Sequence, residues 1–127
     1  MTLAYWCIFF AIFLPIFCAA YAKYRAGFSP ADNHNPRAFL ARAQGKAARA
    51  DAAQQNSYET FPPFAAAVII AHATGNAAQF TINFWALLFV ASRIAFIYCY
   101  INDKATLRSA MFGVNLLCIM ALFIAAV

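Results

Sequence analysis

Four long apolar runs divide the chain, separated by polar breaks that differ sharply in length. The first run, Leu3 to Ala22, is interrupted only by Pro15, which a membrane helix tolerates as a kink. About 20 apolar residues suffice to cross a bilayer, so this run predicts a first spanning helix. Residues 23 to 56 are the one extended polar stretch, with turn signals at Ser29-Pro30, Asn33-His34-Asn35-Pro36 and Gly45. From Arg37 onward good helix formers dominate, so a second helix is expected to begin outside the bilayer, enter it near Phe61 and bend at Pro62-Pro63. Thr74-Gly75-Asn76 and Asn102-Asp103-Lys104 mark two short turns, around a third run from Phe80 to Tyr100 and before a fourth from about Thr106 to Val127. The expectation is a single all-α domain over residues 1–127, an integral membrane four-helix bundle. Its spans are placed at about 3–22, 57–74, 80–100 and 106–127, with a polar cytoplasmic loop at 23–56.

Composition narrows this further. Of the 127 residues, 65% are hydrophobic and only 10% charged, whereas a soluble domain carries roughly a quarter charged residues. The net charge of +5 does not argue for nucleic acid, because Lys23, Arg25, Arg37, Arg42, Lys46 and Arg49 all lie in the first loop. By the positive-inside rule that clustering places the first and third loops in the cytoplasm and both termini across the membrane. Ala20-Tyr21-Ala22 has the small-x-small look of a leader cleavage site, but no basic residue precedes the run, which favours a retained span. The four cysteines form no C-x-x-C pair, and His34 and His72 are assigned to opposite ends, so no metal site is expected.

Candidate chemistry lies in the polar residues of the spans. Charged side chains inside a membrane usually face the bundle interior and find a partner. Glu59 and Arg93 are placed at similar depth by the topology, so a Glu59–Arg93 pair is expected within a subunit or across an interface. Arg49, Ala52, Asn56 and Glu59 follow at steps of three and four, one face of a helix. Arg93, Phe96 and Tyr100 repeat that spacing, and Arg108 opens the fourth helix. The arrangement suits an anionic molecule carrying an amine: arginines hold carboxylates bidentately, Glu59 takes an ammonium, and Asn56 and Tyr100 supply hydrogen bonds. It equally suits a structural bridge that fixes helix register. A transporter or channel pathway ranks last, since the charges cluster at one membrane face.

The stretch from Arg49 through Gln54-Gln55-Asn56-Ser57-Tyr58-Glu59-Thr60-Phe61-Pro62-Pro63-Phe64 resembles the signature of the MAPEG family, the membrane-associated proteins of eicosanoid and glutathione metabolism. The shared pattern is an Arg, then Asn-x-x-Glu, then an aromatic residue and Pro at the head of the second span. Arg93, Phe96 and Tyr100 are similar to the family's Arg-x-x-Tyr-x-x-x-Tyr, and Leu107-Arg108 to its Leu-Arg. The resemblance, to a divergent bacterial-type member, implies a homotrimer in a bacterial inner membrane. It further implies a glutathione-dependent transferase or peroxidase whose lipophilic substrate arrives from the lipid. Carried over by position, Arg49, Gln54, Asn56, Glu59, Arg93 and Tyr100 would bind glutathione as co-substrate, between adjacent subunits. Arg108 would be catalytic, its guanidinium lowering the glutathione thiol pKa from about 8.5 and raising the thiolate fraction.

Several positions depart from that pattern. Ala52 stands where catalytic members usually carry Arg, Phe96 where Tyr is common, Thr60 where some have Tyr, and Arg108 falls one residue later relative to Tyr100. Lys23, Arg25, Arg42 and Lys46 are the candidates to replace the missing cation. Some members of the family bind lipid without catalysis, so a non-catalytic lipid- or partner-binding membrane protein is the alternative function.

Overall fold

A computed structural model describes residues 1–127. Its elements are α1 (Leu3–Ala26), a 3-10 helix (Pro30–His34), the short α2 (Pro36–Ala41), α3 (Gly45–Thr74), α4 (Gln79–Ile101) and α5 (Ala105–Ala125). Each terminus of α1 is set by its own chemistry. The Thr2 hydroxyl accepts from the Tyr5 N–H at the start, satisfying one of the orphan donors of a first turn. At the other end Gly27 adopts φ 74°, which lets Phe28 N–H return to the Lys23 carbonyl at 3.0 Å. Lys23 and Arg25 in that last turn meet the negative end of the helix dipole.

The helix beginning expected at Arg37 is divided in two. Residues 36–41 form α2, and the chain then turns before α3 starts at Gly45, whose φ of 60° suits a residue without a Cβ. From there α3 runs 30 residues through Pro62 and Pro63 without a break in helical assignment. Ser57 and Thr60, just before the prolines, turn their hydroxyls back onto the Ala53 and Asn56 carbonyls, a local bonding habit of these residues in helices. The turns expected around Gly75 and Asp103 are where the chain reverses, with positive φ at both residues.

Three helices, α1, α4 and α5, are long and apolar enough to cross a membrane. The second expected span is not among them, because α3 carries Ser57, Tyr58, Glu59, Thr60, two prolines and His72 beside its apolar residues. Outward surfaces are strongly apolar: Trp6, Phe9, Phe10, Phe13, Ile16 and Phe17 on α1 are all exposed, the character of a helix made for lipid or for another protein surface.

Packing follows from residue size. On α1 the buried stripe is Ala4, Cys7, Ala11, Leu14, Cys18 and Ala22, and on α3 it is Ala47, Ala50, Ala53, Ser57, Thr60, Phe64, Ala67 and Ala71. Both recur at three and four residues, and small side chains on both faces let the two backbones approach closely. In the packing as a whole, α3 and α4 each touch both α1 and α5, which do not pack on one another. Two apolar clusters result. One holds Phe64, Val68, Ile82, Phe89, Cys118 and Leu122, with Phe64 and Phe89 stacked at 3.8 Å; the other holds Leu14, Cys18, Ala50, Ala53, Phe96 and Ile101. Between them, along the helices, lie the buried polar residues Ser57, Ser92, Arg93 and Asn115.

Candidate functional site

The end of the molecule that carries the 27–44 connection also carries the α4–α5 turn. Arg49 Nε donates to the Ile101 carbonyl at 3.0 Å and Lys46 Nζ to Asn102 Oδ1 at 3.4 Å, which ties the start of α3 to the end of α4. A cation on the last carbonyls of a helix also complements its dipole. All seven residues singled out from the sequence are on this half of the molecule, but on different surfaces.

Asn56 and Arg93 meet directly, with Arg93 Nη2 donating to Asn56 Oδ1 at 2.6 Å. Arg93 is 2% exposed; Nη2 also donates to Ser57 Oγ at 3.2 Å and Nη1 to Asn115 Oδ1 at 2.9 Å, while Nε has no partner. The Glu59–Arg93 pair expected within a subunit is therefore not made, since the guanidinium is turned inward onto α3 and α5 while Glu59 is exposed. The face of the Arg93 guanidinium lies over Phe96, 4.0 Å from the ring centroid. Phe96 in turn meets Tyr100 edge-on at 5.6 Å, and Arg108 covers Tyr100 at 4.5 Å. An unbroken cation–aromatic stack thus runs from the interior to the half-buried Arg108. Arg108 donates no side-chain hydrogen bond within the chain, so its five N–H groups are available to an anion.

Gln54 belongs to another surface. A helix turns about 100° per residue, so Gln54 is about 200° around α3 from Asn56. It lines an open cleft of ≈ 810 Å³ formed by the C-terminal half of α1, the 34–41 segment and α3. Lys23, Arg37, Asp51 and Tyr58 line the same cleft, and Glu59 stands at its edge. Of the four candidates to replace the cation missing at Ala52, Lys23 alone lines this cleft, and Arg37 lines it as well. Of the residues that helical spacing put on one face, Arg49 and Asn56 bond to α4, while Glu59 lines the cleft with Gln54.

Asn115 is the residue that sequence reasoning passed over. It is fully buried on α5 and joins Arg93 to Ser92 Oγ, the latter at 2.6 Å. The available signal was its position: a lone amide in an apolar run, seven residues after Arg108 and hence on the same side of α5. No group of histidine, cysteine and acidic side chains is arranged to hold a metal ion.

A model of the MAPEG family matches residues 3–127 of this chain, essentially its whole length, and the chain belongs to that family. No curated protein matches it.

Proposed function

We propose, from that membership and the geometry above, that the protein is a membrane-embedded glutathione-dependent transferase or peroxidase acting on lipophilic electrophiles. The observation that carries the reading is Arg108, half-buried, held over Tyr100 at 4.5 Å and donating to no side chain. A cation so placed stabilises a thiolate relative to a thiol. In a displacement the sulfur–carbon bond forms as the carbon–leaving-group bond breaks, the leaving group departs as an anion, and the thiol proton passes to water. Asn56, Glu59 and Tyr100 are proposed to hold the peptide, with Arg49 beside them. Arg93 supports Asn56 from within.

Gln54 and Glu59 open on the cleft while Asn56 and Arg49 bond to α4, and this division over two surfaces of one chain supports a site completed by a second copy. A homotrimer, with α3 supplying the fourth span through its Phe61 to Ala73 portion, gives the α1 and α5 outer faces either lipid or a neighbour to cover them. The termini are proposed to lie on the non-cytoplasmic side of a bacterial inner membrane, with Lys23, Arg25, Arg37, Arg42, Lys46 and Arg49 on the cytoplasmic side.

The test is calorimetric titration of the detergent-purified protein with glutathione, followed by conjugation to an aromatic halide. Saturable binding that weakens in Glu59→Gln, with turnover lost in Arg108→Ala, supports the reading. No heat and no turnover at millimolar glutathione removes the enzyme and leaves a lipid- or partner-binding member of the family, the reading that Ala52 favours.

A further inference from the structure

The hydrogen bonds around Arg93 have a direction, and it propagates to the surface. A guanidinium only donates. Ser57 Oγ spends its proton on the Ala53 carbonyl at 2.8 Å, so it faces Arg93 as an acceptor. Ser92 Oγ spends its proton on the Phe89 carbonyl at 3.0 Å, so it must accept from Asn115 Nδ2, which turns Asn115 Oδ1 to Arg93. The last acceptor is Asn56 Oδ1, at 2.6 Å the shortest contact of the guanidinium. Donors are already in surplus here, since Arg93 Nε is buried without a partner. Rotating the Asn56 carboxamide would place its NH2 against the guanidinium, donor to donor, and strand a further N–H in the interior.

We infer that Arg93 is a positioning residue that locks the Asn56 carboxamide with its oxygen inward, making the half-buried Asn56 a dedicated donor, through Nδ2, for a carboxylate or carbonyl oxygen of the ligand. The inference rests on the proposed function for the identity of that ligand, glutathione. It removes Arg93 from direct contact with the peptide. It also gives Ser57, Ser92 and Asn115 a share in specificity, since their own hydrogen bonds turn every other acceptor toward the guanidinium.

Asn56→Asp tests this because it changes the two sides of the residue oppositely. Inward, a carboxylate suits the buried guanidinium better than an amide does; outward, it replaces a donor with an anion. The full chain in detergent is expected to melt at the wild-type temperature or above, while glutathione affinity falls at least tenfold. Arg93→Lys, also donor-only, is expected to keep affinity within about threefold of wild type, whereas Arg93→Met loses it. Retained affinity in Asn56→Asp overturns the inference and leaves the proposed function standing. If wild type itself binds no glutathione, the proposed function falls and the ligand-facing part of the inference with it. The locked amide is then judged by melting alone: a lower melting temperature for Asn56→Asp overturns it.

Discussion

Two polar assemblies cross this apolar protein, and they differ in what they allow. One is the Arg93 layer, joining α3, α4 and α5 through Asn56, Ser57, Ser92 and Asn115. The other lies at the far end, where His72 of α3 meets Thr2, which caps α1, at 2.9 Å and Gln79 of α4 at 3.3 Å, Gln79 donates to Asn83 at 2.9 Å, and Asn83 accepts from the Ala4 N–H. His72 Nδ1 faces the Val68 carbonyl at 2.8 Å, which only accepts, so Nδ1 carries the proton and Nε2 receives. Tyr5 stacks on the ring at 4.1 Å. The Val68 carbonyl and the Ala4 N–H fix the directions of the far-end bonds, but those between its side chains are exposed or half-buried, so water can replace one that is lost. In the buried Arg93 layer a lost partner leaves a polar group unpaired, and its centre only donates. Both pin three helices, but only the first imposes an orientation on a residue of the candidate site.

The largest effect should come from removing the centre of that layer. Arg93→Met strands two buried acceptors, on Ser57 and Asn115, at roughly 1–3 kcal/mol each, and frees the half-buried Asn56. Partly offset by relief from burying a cation, this should cost about 3 kcal/mol, read as a fall in the thermal unfolding midpoint in detergent. Unchanged melting would mean the layer does not hold α3, α4 and α5 together. Asn115→Leu leaves the guanidinium in place with one donor unpaired and should cost about 2 kcal/mol by the same measurement. Asn115→Asp should cost less than Asn115→Leu, as a carboxylate still accepts from Arg93.

At the far end His72→Ala should cost about 1 kcal/mol, with glutathione affinity unaltered, because the lost bonds are partly exposed and far from Asn56. A loss of affinity there would join the two assemblies functionally and erase the contrast drawn between them. An effect of similar size is expected for Gly75→Ala. Nothing lies within 4 Å of the added Cβ, so its cost, about 1 kcal/mol, is that of holding a side-chain-bearing residue at φ 69°. For the site itself, Arg108→Ala should lower turnover roughly a hundredfold, the scale of losing one preorganised charge stabiliser. Glutathione binding should survive that change, as measured by titration.

Helix existence and the short turns were legible because they depend on local chemistry: long apolar runs, Gly75 and Asn102-Asp103 as breaks, basic residues gathered in one loop. Spacing on α3 was legible in part: Arg49 and Asn56 both meet α4, while Glu59, three residues further on, lines the cleft with Gln54. The start of α3 was not, because propensity favours helix from Arg37 onward while the left-handed Gly45 and the turn before it interrupt it. Depth in the membrane suggested a Glu59–Arg93 pair, yet depth does not say which way a long side chain points.

The sequence by itself determined an all-helical chain of long apolar runs, the family signature, and the residue types available for an anion site; it predicted four spans, where three helices are long and apolar enough to cross a membrane. These follow from composition and from periods of three and four, which are properties of a single helix. Only the tertiary structure decided that Arg93 turns inward to Asn56 and Asn115, that Gln54 opens on a different cleft, and that Phe96 and Tyr100 link Arg93 to Arg108. Those outcomes depend on which helices become neighbours and how they are rotated. That rotation was set by the small-residue stripes of α1 and α3, whose close approach no single helix could reveal.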